Sequence, residues 1–199
     1  MGHSQAEKAR SHDRILSIAA RTIRDSGSGS LVIADLMKAA GLTHGAFYSH
    51  FDSRDALIEE SIERALSEGE AKFSSESPGN VREMTRSYLS KAHRDHPETG
   101  CVMATLAMET RRTRESRQLL ADRLDRYIDR LALQIGGEDA TDKALATWSM
   151  LVGAVTLSRL FEGDPSDRLL VAARGAIDKI LDADVARPRD KDPSADGGR

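Results

Sequence analysis

The chain has 199 residues, 39% of them apolar and 31% charged, which is enough for a real core beneath a solvated surface. Its net charge of −3 and pI near 6.1 exclude binding of polyanions by a bulk basic field, so any such contact must come from local geometry. The single cysteine excludes an intrachain disulfide, and no run of about 18 apolar residues is present to span a membrane. The polar N-terminus lacks the apolar centre of a signal peptide, so the expected location is the cytoplasm.

Helix formers dominate and alternating β-branched runs are missing, so the expected class is all-α, with about nine helices. Residues 1–10 read as a mobile polar arm. From Ser11, the apolar residues Ile15, Leu16, Ala19, Ala20 and Ile23 recur at helical spacing, and Ser26-Gly27-Ser28-Gly29 ends the run. A short helix follows from Val32 to Ala40, with Leu36 and Met37 inward and Gly41 as its left-handed cap. Thr43 is the expected N-cap of a second short helix over 44–50, and Asp52-Ser53 caps a longer one over 54–73. Residues 74–80 form a loop. Beyond it the periodicity predicts helices at about 81–95, 100–113, 115–135, 140–162 and 166–182, followed by a polar tail, 183–199, expected to be disordered.

Two short helices joined by a tight glycine turn form a helix-turn-helix, whose second helix enters the DNA major groove. In the segment from Val32 to Phe51, Leu36, Leu42, Phe47 and Phe51 can set the angle between the helices. Free N–H groups at the start of the second helix favour an anion there. Gly45 and Ala46 are small enough for the backbone to approach base edges, and Tyr48 and His50 carry polar tips that reach phosphates. No phosphate-cradling glycine loop, nucleophile elbow or zinc-protease motif is present, so the chain does not read as an enzyme, and no cofactor or metal is expected. His93, His96 and Cys101 make a poor metal site because Pro97 breaks their spacing, and they read instead as solvated histidines beside a cysteine.

The segment closely resembles the DNA-binding head of the TetR family of transcriptional regulators. The resemblance rests on Ala40-Gly41-Leu42-Thr43, the aromatic pair Phe47-Tyr48, Phe51, and the run Asp52-Ser53-Arg54-Asp55-Ala56-Leu57, and it covers roughly residues 11–66. It implies a DNA-binding head over 8–68 and a helical effector-binding and dimerisation body over 80–182. Thr43, Tyr48, His50 and Arg54 would then contact phosphates, and His44, Gly45 and Ala46 would lie nearest the bases. It also implies a homodimer on a palindromic or near-palindromic operator, acting as a repressor released by a small-molecule effector. The candidate pocket residues are Tyr88, Cys101, Met103, Leu106, Met108, Tyr127 and Trp148, since methionines and aromatics suit an adaptable apolar cavity. The last two helices would form the dimer interface, with Leu151, Val152, Val155, Leu169, Ala173 and Ile177 as candidates. An alternative switch is oxidation or alkylation of Cys101, which follows Gly100 near a predicted helix start.

Overall fold

The computed structural model describes residues 5–76, 80–106 and 114–182, and among them every regular element is helical. Helix α1 (Gln5–Ser26) begins earlier than expected: its first residues are exposed helix, not a loose arm, because nothing in Gln5–Arg10 breaks the pattern. Its stripe of Ile15, Ala19, Ala20 and Ile23 is buried, largely against α3 (Arg54–Glu76). Gly27, at φ 81°, ends α1 by donating its N–H to Ile23 O.

A 3-10 turn, Ser28–Ser30, leads into α2 (Ile33–Ala39). Ser30 does not cap α2: its hydroxyl donates to Gly27 O, and the N-cap position falls on Val32. The C-terminal end follows the expected chemistry. Gly41 (φ 72°) donates to Lys38 O at 3.0 Å and Leu42 to Met37 O at 2.9 Å, the paired bonds of a Schellman cap. Ser53 Oγ caps α3 by accepting from Ala56 N at 3.0 Å.

Ion pairs hold the crossing of α1 and α3. The buried Arg24 donates through Nη2 to Ala65 O (2.9 Å) and Glu68 (2.6 Å), and Arg64 bridges Glu68 and Asp13, both at 2.5 Å. Burial alone would push the Glu68 carboxyl up, but the hydrogen bonds from Arg64 and Arg24 outweigh it and hold the group below its ordinary range. A carboxylate so stabilised contributes fully above its unfolded pKa of about 4.3, and the contribution is lost as pH falls through the lower native value. The thermal midpoint should therefore fall on acidification below about pH 4. Glu68→Gln should lower the midpoint at pH 7 and flatten that acid limb, as read by circular dichroism.

The body contains α4 (Val81–Tyr88), α5 (Lys91–Asp95), a 3-10 turn at Pro97–Thr99, α6 (Met103–Leu106), α7 (Arg114–Ile135), α8 (Ala140–Ser158) and α9 (Asp164–Asp182). The single helix expected over 81–95 is two. Ser90 Oγ accepts from His93 N and starts α5 afresh, so the chain bends at Leu89. The helix expected over 100–113 is seen as α6, which starts only at Met103; residues 107–113, like the tail 183–199, lie outside the described residues.

Helix α8 packs on α7 and α9 through Ala144, Trp148, Leu151 and Val155, facing Leu131, Leu170 and Ile177 in one buried cluster. Arg94 of α5 clasps the start of α9 through Ser166 and Asp167, and Arg82 of α4 clasps its end through Asp178 and Asp182. Helix α3 serves both halves. Its Glu63 and Glu70 flank the buried Arg123 of α7, and Thr105 Oγ1 of α6 donates to Arg24 O of α1 at 2.7 Å. No helix among the described residues is long and apolar enough to cross a membrane.

Candidate nucleic-acid interface and effector cavity

The second element of the helix-turn-helix is a 3-10 helix, His44–Ser49, rather than an α-helix. Six residues can close few α-type bonds, and the chain here uses i−3 bonds: Ala46 N to Thr43 O at 3.1 Å and His50 N to Phe47 O at 2.9 Å. Phe47 and Phe51 are both buried and stack at 5.6 Å, and His12 of α1 stacks on Phe51 at 4.6 Å while its Nε2 meets Glu60 at 2.9 Å. These contacts fasten the turn to α1 and α3. Arg14, which the sequence reading passed over, donates to Ala40 O at 3.1 Å and so ties α1 to the end of α2.

The opposite side of the turn faces outward. Thr43, His44 and Gly45 are exposed, Ala46 is half-buried, and Tyr48 is 71% exposed. Thr43 occupies the N-cap position with extended backbone, but its side chain makes no capping bond, contrary to expectation. A Cβ built on Gly45 meets nothing within 4 Å, so packing inside the chain does not demand glycine there.

His50 is half-buried, with Nδ1 buried and unpartnered. Burial first, then His12 and Lys8, lowers its pKa, so it stands as a neutral ring at pH 7. It can offer a hydrogen bond but no charge. Arg54 is half-buried and turned partly inward: its Nη2 donates to Ser28 O (3.0 Å) and Leu31 O (3.4 Å), fixing the approach to α2.

The second feature is a cavity of about 680 Å³ between α1, α3 and the body. Five of the seven expected pocket residues line it: Tyr88, Cys101, Met103, Tyr127 and Trp148. Leu106 is buried in the core but is not in the wall, because its turn of α6 faces inward, and Met108 lies outside the described residues. The wall is aromatic. Tyr127 and Trp148 stack at 4.7 Å, Phe73 sets its edge to Trp148 at 6.3 Å, and Tyr88 lies 6.0 Å from Trp148.

His93 is a wall residue, not a solvated histidine. Nδ1 lies 2.6 Å from Tyr88 O and Nε2 accepts the Cys101 N–H at 3.0 Å, so the neutral ring carries its proton on Nδ1. Gly100 makes this possible, since a Cβ there would sit 3.0 Å from His93 Nε2. His96 is exposed and pairs with Glu98 at 3.2 Å. Burial and then the neighbouring Cys101 push the Tyr88 hydroxyl well above its usual range, and the same two causes raise Tyr127, so both are protonated donors. Sequence reasoning missed Arg21, Arg24, Phe73 and Met84 of the wall. The spacing of Leu66, Gly69 and Phe73 along α3 held a signal, hidden by treating that helix as part of the head alone.

For the expected interface residues, Leu151, Val155 and Ile177 are fully buried within the protomer, where they join α8 to its neighbours. Val152, Leu169 and Ala173 are half-buried. The large apolar residues that do reach the surface of this pair are Leu145, Leu157, Leu160, Phe161 and Val171.

The fold therefore defines a helix-turn-helix head joined to an all-helical body, with a partly open, aromatic-walled cavity between them. Residues 15–61 match the family described as bacterial regulatory proteins, tetR family. The HTH-type transcriptional regulator AcrR of Shigella flexneri is 32% identical over 88 residues, 43% of this chain and 40% of that protein. The alignment thus spans well under half of that relative's length. A TetR transcriptional regulator from Chloroflexus aurantiacus superposes with a TM-score of 0.78 at 20% identity, over 90% of this chain and 98% of that one. A TetR-family regulator from Cytophaga hutchinsonii gives 0.75 at 16% identity, over 91% and 96%. At such identities these two show the shared fold of head and body. The helix-turn-helix head, over residues 15–61, is thus similar to the head of the tetR family.

Proposed function

We propose that the chain is a homodimeric, sequence-specific DNA-binding regulator of transcription in the cytoplasm, a repressor released from its operator by a small molecule seated in the cavity. The observation that carries the DNA-binding reading is the outward face of the His44–Ser49 turn, where exposed Thr43, His44, Gly45 and Tyr48 stand on a base locked by Phe47 and Phe51. Thr43, Tyr48 and His50 would hold phosphates, with Arg54 adding to this through whatever donors its inward bonds leave. His44, Gly45 and Ala46 would meet base edges. A single head covers a short half-site, so affinity needs two heads about one DNA turn, roughly 34–36 Å, apart. The exposed apolar residues of α8 and α9 suit the pairing of two protomers. The cavity lies against α1 of the head, which lets an occupant bias the head's position through differential affinity for two states.

The test is a gel shift with DNA from upstream of the chain's own gene. We expect sequence-specific, salt-sensitive binding at low micromolar protein or below; its absence from all such DNA rejects the reading. Tyr48→Phe should weaken binding to all sequences alike, by a few-fold, whereas His44→Ala should change the preference among sequences.

A second reading makes Cys101 the switch. It is favoured by the place of Cys101 in the cavity wall, half-exposed beside Tyr88 and held through its N–H by His93. If alkylation by an electrophile releases DNA, Cys101→Ser should abolish that response and keep DNA binding; an unchanged response rejects it.

A further inference from the structure

Three residues of the cavity lining, Arg21, Arg24 and Lys72, are cationic. Arg24 is 4% exposed and its Nη2 is taken by Ala65 O and Glu68, yet its Nε–H is buried without an acceptor. The Tyr88 hydroxyl is buried in the same wall, with the Cys101 side chain as its hydrogen-bond partner. Arg21, one turn before Arg24 on α1, lines the same cavity, is exposed, and forms no ion pair among the described residues. A buried donor without an acceptor is costly, so an occupant that supplies acceptors is favoured over one that does not.

Several of the lining's acceptors, by contrast, are engaged. Glu68 receives Arg24 on one carboxylate oxygen and Arg64 on the other. Glu98 pairs with His96, His93 Nε2 receives the Cys101 N–H, and Ser90 Oγ receives the His93 N–H. A cationic occupant would meet Arg21, Arg24 and Lys72 in the wall, with Glu68 already paired to two arginines. The remaining wall is the aromatic surface of Phe73, Tyr127 and Trp148.

From this distribution we infer that the cavity takes an amphipathic organic anion, a carboxylate on a flat apolar body, with the acid at Arg21 and Arg24 and the body against Phe73, Tyr127 and Trp148. This rests on the cavity being the effector site. It makes Arg21 the residue that selects for charge. It also places the ligand's acid group directly on α1, whose other face builds the core of the head through Ile15, Ala19 and Ile23. The acid group then acts on the head without relay through the rest of the body.

The test uses three probes of one shape on the purified full chain by titration calorimetry: biphenyl-4-carboxylate, its carboxamide, and biphenyl-4-methylammonium. Trp148, the sole tryptophan, reports by fluorescence whether binding is in the cavity. The carboxylate should bind about tenfold tighter than the amide, the size of one charge-assisted hydrogen bond, and should shift Trp148 emission. Arg21→Gln, a surface change that leaves the core intact, should remove that margin and leave the amide's Kd unchanged. Equal binding of acid and amide, a preference for the ammonium, or an unaltered margin in Arg21→Gln overturns the anion assignment while keeping the cavity a ligand site. No binding by any probe, or binding without a response from Trp148, overturns the assignment and the effector-site reading together.

Discussion

Phe47→Ala should cost about 3–5 kcal/mol of stability, the usual range for emptying a buried aromatic site. Phe47 is 1% exposed, stacks on Phe51 at 5.6 Å and meets Tyr48 edge-on at 5.1 Å. It is the only residue of the His44–Ser49 turn that is fully inside the core. Its removal leaves the turn held by its short backbone hydrogen bonds and by Phe51 stacked on His12, without an anchor of its own in the core. The loss should appear as a lower denaturant midpoint for the whole chain, because α1 and α3 share the cluster that Phe47 fills. DNA binding should vanish with it. Tyr48→Phe, one residue along and 71% exposed, should leave the midpoint unchanged within about 0.5 kcal/mol. If Phe47→Ala keeps the wild-type midpoint, the turn is not anchored as described.

Val171→Glu should separate the proposed dimer and, with it, reduce operator affinity by about two orders of magnitude or more, because the second head then no longer binds as part of the same particle. Val171 on α9 is 59% exposed within the protomer, so a carboxylate there is solvated in the monomer and should leave its helicity unchanged. Against a second copy of an apolar face the same carboxylate is buried without a partner. Sedimentation velocity at micromolar protein reads the mass directly. Val155→Glu is the contrast: Val155 is fully buried in the protomer, so that change should unfold the body rather than release an intact monomer. A Val171→Glu protein that sediments as a dimer would move the interface elsewhere.

The head was legible in the sequence because its determinants are local. The Gly41 cap, the Ser53 cap and the stripe of Ile15, Ala19 and Ile23 each act within one or two turns of chain, and the structure shows each in its expected place. Where local reading failed, a tertiary contact or a competing local bond decided the outcome. The turn after Thr43 tightened to 3-10 geometry because Phe47 and Phe51 are both drawn into the core over so short a span. The helix expected over 81–95 broke because the Ser90 hydroxyl offers the backbone an alternative to the continuing ladder.

The cavity and the outer faces of α8 and α9 were beyond periodicity. A broad apolar arc says that a helix is covered on more than one side, but not by which neighbour. Leu151, Val155 and Ile177 turned inward and Leu157 and Val171 outward because of how α7, α8 and α9 pack on one another, a fact of three-dimensional placement. The cavity collects Arg21, Phe73, Tyr88, Cys101, Tyr127 and Trp148 from five helices and a loop, and no spacing along the chain relates them. The sequence by itself therefore determined the all-helical class and the helix-turn-helix from Val32 to Phe51, since capping and short-range packing depend on neighbours in the chain. Only the tertiary structure decided which donors face the cavity and which apolar residues reach the surface, since both depend on how distant helices cross.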